Sequence, residues 1–335
     1  MSETFIIAEA GINHNADISI AHEMIDAAAA AGVDAVKFQT AIPELVATAT
    51  AEKARYQMQS SDVEESQLEM IKKMHFPLDV YPELKTHCEE RGVLFFSSAF
   101  DLVSLDFLKD LGQTLFKIPS GEITNLPYLR SVGSVSYPII LSTGMATMTE
   151  VQSAVQILVQ EGKALEDITV LHCNTEYPTP PSDVNLRAML SMRDTLNMQV
   201  GYSDHTLGCE VSVAAVALGA TVIEKHFTMN RNFEGPDHAA SLEPEELTNL
   251  VRMIRNVEQC LGVSEKKASP SEAPNKAIAR RSIVAAAPIR KGEAFSENNL
   301  TAKRPGTGLS PMHWDTVLGK TAKRDYLADD MIVDE

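Results

Sequence analysis

The chain has 335 residues, 44% of them apolar, and carries a formal net charge of −17. That acidic balance argues against nucleic acid or an anionic membrane as partner, because phosphate backbones are bound by basic surfaces. No run of about 18 apolar residues occurs, so no transmembrane helix is expected. The first residues lack the basic-then-apolar pattern of a secretory leader. Four scattered cysteines, Cys88, Cys173, Cys209 and Cys260, show no CxxC spacing. They read as free thiols in a reducing cytoplasm.

In chain order, short β-like runs alternate with amphipathic or Ala-rich stretches. The runs are 5–8, 35–38, 93–97, 115–118, 139–141, 169–172, 199–202 and 222–224. Helical spacing covers 18–31, 79–91, 102–111, 126–132, 149–161, 186–197, 209–218 and 244–261. Eight strands, each followed by a helix, predict a (β/α)8 barrel, a TIM barrel, over residues 1–261. An open doubly wound sheet is the rival, but no Gly-rich dinucleotide fingerprint follows the first strand. The second βα connection, 44–76, is long, polar and partly helical. It is expected over the barrel mouth as a lid or an oligomer contact. Residues 262–279 read as a linker, with Pro270 and Pro274 among Ser, Lys and Glu. Beyond it, 280–335 reads as a small β-rich domain, with short strands expected at 282–286, 294–295 and 300–303.

Barrel chemistry sits at the C-terminal strand ends. The ends here supply Glu9, Lys37 with Gln39, Ser98, Lys117 followed by Ser120 and Glu122, Asn174, Ser203 with His205, and His226. His205 and His226 would end neighbouring parallel strands, and two adjacent imidazoles can hold a divalent cation. Lys37 and Lys117 would be costly inside a barrel unless they face an anion. With Ser98, Ser120 and Ser203 they make a phosphate and carboxylate cradle. Glu9 and Glu122 are either active carboxylates or ion-pair partners of those lysines. The inventory suits metal-assisted chemistry on a phosphorylated, anionic small molecule. Spacing alone leaves the reaction open.

Further motifs narrow it. Residues 5–15 (FIIAEAGINHN), 35–39 (AVKFQ), 116–122 (FKIPSGE), 142–145 (STGM), 172–180 (HCNTEYPTP), 201–206 (GYSDHT) and 223–228 (IEKHFT) resemble the sialic acid synthases, in order and in register. Residues 279–282 (ARRS) and 303–308 (KRPGTG) resemble their antifreeze-protein-like SAF domain. The resemblance implies a metal-dependent condensation of phosphoenolpyruvate with an N-acetylated mannosamine-type sugar. A nine-carbon 2-keto acid and phosphate would be the products. It places the metal, Mn2+ or Mg2+, on His205 and His226. Lys37, Lys117, Ser120, Ser203 and Ser98 match phosphoenolpyruvate contacts. Gln39, Tyr177 and Asp237 match sugar contacts, with either Asn174 or Thr175 supplying a further polar contact. Glu122 would handle the proton of the added water, and Glu9 would orient oxygen beside the cation. Arg304 matches the arginine that the small domain delivers to the N-acetyl group across a domain-swapped homodimer.

Two departures bear on the acceptor. Ser97-Ser98-Ala99-Phe100 stands where the family often has Ser-Thr-Pro-Phe, and Asn174-Thr175-Glu176-Tyr177 stands where N-acetylneuraminate synthases carry Thr-Asn-Ile/Leu-Tyr. The second, with residues 121–127 (GEITNLP), is closer to synthases of legionaminic acid. The favoured acceptor is therefore 2,4-diacetamido-2,4,6-trideoxymannose, with N-acetylmannosamine as the alternative. A metal-dependent aldolase or a shorter sugar-acid synthase on the same barrel is a more distant one, and an ice-binding role would leave the strand ends unexplained.

Overall fold

The structure is a computed structural model that describes residues 3–60 and 65–333. The chain divides into two compact units, Met1–Gly262 and Val263–Glu335.

The first unit runs β1 (Phe5–Gly11), α1 (Ile18–Ala31), β2 (Ala35–Thr40), then α2 (Pro43–Val46), α3 (Arg55–Ser60) and α4 (Gln67–Met74) in the long connection. It continues α5 (Tyr81–Arg91), β3 (Leu94–Ala99), α6 (Leu102–Asp110), β4 (Phe116–Ile118), α7 (Leu126–Gly133), β5 (Ile139–Ser142) and α8 (Met148–Gln160). It ends β6 (Ile168–Cys173), α9 (Arg187–Leu196), β7 (Gln199–Asp204), α10 (Glu210–Ala217), β8 (Val222–His226) and α11 (Pro244–Leu261). Local chemistry sets the boundaries. Asp17 caps α1 by accepting from the Ser19 and Ile20 amides, and Gly32 ends it at φ 81°. Reciprocal capping boxes start α4, α8 and α11.

The strands are all parallel in the order β3-β2-β1-β8-β7-β6-β5-β4. The two outermost, β3 and β4, pack side by side and bring the eight close to a closed barrel. At that seam the buried Gln113 side chain stands in for a ladder. Its Oε1 accepts from the Ser97 amide at 2.8 Å and its Nε2 donates to the Ser97 carbonyl at 3.1 Å. Outward residues such as Ile6, Val36, Phe95, Val170 and Ile223 pack against the helices. Inward ones, including Ile7, Ala35, Phe96, Ile140, Leu171 and Val222, fill the barrel floor. Because strand side chains alternate, the next inward residue up each strand is polar or small: Glu9, Lys37, Ser98, Ser142, Cys173 and Glu224.

In the second unit, α12 (Ala273–Ala279) precedes β9 (Ser282–Ala285), β10 (Leu300–Lys303) and α13 (Trp314–Val317). The two strands are antiparallel, Ser282 opposite Lys303 and Ala285 opposite Leu300. Ile283, Ile289, Phe295, Leu300, Val317, Tyr326 and Ile332 form its own core. The expected linker thus holds a helix, opened by Pro274 at its first turn and tied to the unit by the Gly306 amide donating to Ala277 O at 2.7 Å. The expected strand at 294–295 is only a bridge from Ala294 to Thr321.

Candidate active site

A cavity of about 450 Å3 opens in the first unit, where the C-terminal strand ends meet the long β2–α5 connection. Its base is a buried four-charge cluster. Glu9 Oε2 lies 2.7 Å from Lys37 Nζ, and Glu224 Oε1 lies 3.1 Å from Lys117 Nζ. Lys37 Nζ is also 3.6 Å from Glu224 Oε2 and donates to Ser98 Oγ at 3.2 Å. Ser203 Oγ donates to Glu224 Oε1 at 2.8 Å, and Gln39 Nε2 donates to Glu9 Oε1 at 3.3 Å. Glu9, Lys37, Ser98 and Glu224 each sit one inward position above the apolar floor of their strand, and Gln39 sits one inward position higher on β2.

The two carboxyls differ in character. Burial pushes the Glu9 carboxyl up to about 7, more than Lys37 pulls it down. Burial acts on Glu224 too, but Lys117, Lys37 and the Ser203 hydroxyl together outweigh it and hold its carboxyl well below the usual range. Near neutrality Glu224 is a fixed anion, while Glu9 exchanges its proton. With Glu9 protonated, two lysines face one carboxylate, and the cluster has positive charge to spare for an anionic ligand.

Above the cluster stand His205 and His226, ring centroids 5.5 Å apart and inclined by 60°. Burial lowers His205 to about 4 and His226 well below its ordinary value, so both rings are neutral at physiological pH. His205 Nδ1 donates to the Asn174 carbonyl, which leaves the lone pair on Nε2. There the Tyr177 hydroxyl donates at 2.9 Å. His226 Nδ1 is buried without a hydrogen-bond partner, 3.9 Å from Asp237 Oδ2. Burial raises the Asp237 carboxyl to about 7. Neutral imidazoles, one with a buried unsatisfied nitrogen, fit a divalent cation. Among the described residues no three His, Cys, Asp or Glu side chains form a ligand cluster. Two imidazoles from the protein would leave most of the coordination to water or substrate.

Tyr177 is the hub of an aromatic wall. It stacks on His205 at 4.0 Å, meets His226 edge-on at 5.4 Å, and carries Tyr56 stacked on its other side at 4.9 Å. Tyr56 belongs to the long connection, which also lines the cavity with Val46, Gln57, Met70, Ile71 and His75. The expectation that 44–76 lies over the mouth therefore holds for its described part; residues 61–64 lie outside the described residues.

The NeuB family model matches residues 24–266, and the SAF domain model matches 280–335. The chain belongs to the NeuB family. It is 49% identical to N,N'-diacetyllegionaminic acid synthase of Campylobacter jejuni over 99% of both chains. It is 45% identical to the Legionella pneumophila protein of the same name, over 94% of this chain and 89% of that one. Among solved structures it is similar to N-acetylneuraminic acid (sialic acid) synthetase from Leptospira borgpetersenii, with a TM-score of 0.71 and 32% identity over 82% of this chain and 90% of that one.

Within this NeuB-family site the structure brings together Glu9, Lys37, Gln39, Ser98, Lys117, Ser120, Tyr177, Ser203, His205, His226 and Asp237 as cavity lining. Two residues of the first unit fall elsewhere. Glu122 ends the short 3-10 turn Ser120–Glu122, whose tight winding sends its side chain away from the face Ser120 presents. It accepts from Asn125 Nδ2 at 2.5 Å and is absent from the lining. The Asn174 side chain is folded back on its own loop, accepting from the Glu176 amide at 2.8 Å, and Thr175 lines the cavity instead. Arg304 lies in the second unit, exposed, with its Nε donating to Ala279 O at 3.0 Å.

Glu224 was missed by sequence reasoning. The signal was present: two residues before His226 on the same strand, it must share that residue's inward face. Ser142, Cys173 and Tyr56 also line the cavity. The first two obey the same alternation. Nothing local marks Tyr56, because its place depends on how a long connection folds back.

Proposed function

We propose that the chain is an enzyme that joins phosphoenolpyruvate to an open-chain N-acetylated mannosamine-type sugar. The favoured acceptor is 2,4-diacetamido-2,4,6-trideoxymannose, and the products are N,N'-diacetyllegionaminic acid and phosphate. The observation that carries the chemistry is the buried Lys37–Glu9 and Lys117–Glu224 cluster directly below two neutral imidazoles. The 49% identity to a legionaminic acid synthase over 99% of both chains supports the acceptor.

The residues divide the work. Lys37 and Lys117 hold the carboxylate and phosphate of phosphoenolpyruvate, and Glu224 keeps both ammonium groups in place. Ser98, Ser120 and Ser203 add hydroxyls to that cradle. His205 and His226 hold Mn2+ or Mg2+, which when bound supplies a Lewis acid for the sugar aldehyde. Carbon 3 of phosphoenolpyruvate attacks the aldehyde carbon, water adds to carbon 2, and phosphate leaves by C–O cleavage. Glu9, its carboxyl raised to about 7, accepts the proton released by that water and passes it to the alkoxide left by the aldehyde, while the carbon 2 hydroxyl gives its proton to the departing phosphate as the ketone forms. Its position at the cavity base makes it a better candidate than Glu122, which is turned toward Asn125. Gln39, Thr175, Tyr177 and Asp237 face the sugar. Asn174 acts indirectly, its carbonyl fixing the His205 tautomer. Arg304 reaches the acetamido group from a second copy of the chain in a homodimer, and the enzyme works in the cytoplasm.

A phosphate-release assay with phosphoenolpyruvate and Mn2+ tests the reading. The expected result is fast release with the diacetamido trideoxy sugar and slow release with N-acetylmannosamine. Preference for N-acetylmannosamine would overturn the acceptor, and no release with either sugar would overturn the reaction.

A further inference from the structure

Behind the two imidazoles, on the opposite face of the same strands, lies another buried ion pair, one that the reaction does not use. Lys225 and Asp204 are direct neighbours across the β7–β8 ladder. Their Nζ and Oδ2 are 3.0 Å apart, and both side chains are fully excluded from solvent. Every polar atom is engaged. Asp204 Oδ1 accepts from the Thr206 amide at 2.9 Å and the Thr206 hydroxyl at 2.7 Å, and Oδ2 accepts from Ser212 Oγ at 2.6 Å. Lys225 Nζ donates to the Thr206 carbonyl at 2.6 Å.

Stability gives a weak account of this arrangement. A buried ion pair replaced by apolar residues of similar volume is often neutral or stabilising, because desolvation consumes the Coulombic gain. What the pair does have is a position. Asp204 and Thr206 flank His205, and Lys225 immediately precedes His226. The bonds therefore clamp the backbone on both sides of one imidazole and tie that clamp to the residue beside the other. On the far side, the His205 carbonyl is held by the Thr179 amide at 2.9 Å.

We infer that Lys225 and Asp204 are positioning residues, an ion pair behind the barrel wall that sets the mutual orientation of the His205 and His226 rings for the cation. The inference rests on the reading of those histidines as the cation's holders. Neither residue reaches the cavity, so neither is a catalytic residue.

The test uses the full-length protein with Lys225→Met and Asp204→Asn combined, so that no buried charge is left unpaired, and Ser212→Ala as a milder variant that removes one bond and no charge. Thermal unfolding and near-ultraviolet circular dichroism establish that each is folded. Two readouts follow: the Mn2+ dissociation constant from electron paramagnetic resonance of the free ion, and the imidazole 1H–15N spectrum of the metal-free protein, with His205→Gln giving the assignment. Outer-shell partners of metal ligands are typically worth 10–100-fold in affinity, so the double variant should bind Mn2+ at least about tenfold more weakly, and Ser212→Ala about threefold. The His205 ring resonances should shift and broaden in the double variant, as the ring moves against the Asn174 carbonyl that holds its Nδ1–H. A purely structural pair would move only the unfolding temperature. Folded variants with wild-type Mn2+ affinity and unchanged His205 resonances would overturn the inference. Failure of the wild-type protein to bind Mn2+ would overturn the reading of the histidines, and the His205 spectrum would still decide whether the pair orients the ring.

Discussion

Glu224 Oε1 accepts from Ser203 Oγ at 2.8 Å while lying 3.1 Å from Lys117 Nζ, so one carboxylate oxygen joins three strands of the barrel at the level where its interior turns from apolar to charged. Removing that anion leaves two buried ammonium groups with Glu9 alone. Breaking a buried pair from one side typically costs about 3–5 kcal/mol. Glu224→Gln should therefore lower the unfolding free energy by about that much in denaturant titrations. Among folded molecules it should also raise the KM for phosphoenolpyruvate at least about tenfold, since the lysines lose their fixed orientation. An unchanged KM would show that Lys37 and Lys117 do not hold this substrate.

Glu9 and Glu122 give a direct contrast. Glu9 lies two residues before the end of β1 and Glu122 ends the turn after β4, and the sequence marks both as candidate active carboxylates. Only Glu9 lines the cavity. Glu9→Gln should reduce kcat by about 100-fold or more, in the range for loss of a general acid or base. Glu122→Gln should stay within about threefold of wild type, as its partner is Asn125. Steady-state kinetics at saturating phosphoenolpyruvate and sugar check both, and a reversed ranking would return the proton-handling role to Glu122.

The difference between those two residues shows where the sequence is legible. Strand periodicity is strong, so the eight strands, the inward Lys37, Lys117 and Ser203, and the adjacent His205 and His226 are all readable from spacing and position. Glu224 was readable on the same rule. Glu122 and Asn174 sit just past the strand ends, where turn geometry rather than a two-residue period aims the side chain, so the period does not show that neither side chain lines the cavity. Tyr56 fails for a different reason: its partner Tyr177 is more than a hundred residues away, and only the folded path of the long connection brings the rings together.

The pH dependence separates the carboxyls from the imidazoles. Glu9 and Asp237 are raised from ordinary values of 4.5 and 3.8 to about 7. Their contribution to stability is full below the ordinary values and is lost as pH rises through about 7. His205 is lowered from 6.5 to about 4. Its contribution is full above 6.5 and is lost as pH falls through about 4. Between these limits the two trends oppose, so Glu9→Gln should flatten the loss of stability on the alkaline side and leave the acid side intact. In kcat/KM the acid limb should fall near pH 7, where Glu9 becomes protonated, rather than near 4, and it should vanish in Glu9→Gln. Unfolding curves and rate profiles from pH 4 to 9 test the assignment; an acid limb that survives in Glu9→Gln would belong to another group.

Cation dependence follows from the donor set. Chelation should abolish phosphate release, and Mn2+ should restore it. On the proposed reading His226→Ala removes one of the two imidazoles that hold the cation, so the Mn2+ concentration for half-maximal activity should rise at least about tenfold. Binding of phosphoenolpyruvate alone, which rests on the lysine cluster below, should change far less. Full activity of His226→Ala after chelation would sink the metal role, and equal losses in Mn2+ and phosphoenolpyruvate affinity would mean that the barrel end had collapsed.

Gly201 shows how closely the floor supports this site. It is the inward residue of β7 two places before Ser203 and four before His205. A Cβ placed there would lie 2.4 Å from the Val222 carbonyl oxygen and 2.6 Å from Leu171 Cδ2. The Val222 oxygen is backbone of the neighbouring strand and cannot rotate aside, so β7 and β8 would have to separate. Overpacking of this kind costs about 1–3 kcal/mol. Gly201→Ala should lose about that much stability, and because the displaced strands are those carrying His205 and His226, Mn2+ affinity should fall with it. Restoring stability with a cosolvent such as sucrose should recover the folded fraction without recovering the affinity. Recovery of both together would mean that the glycine serves folding alone and that the strand spacing at the floor is not transmitted to the imidazoles.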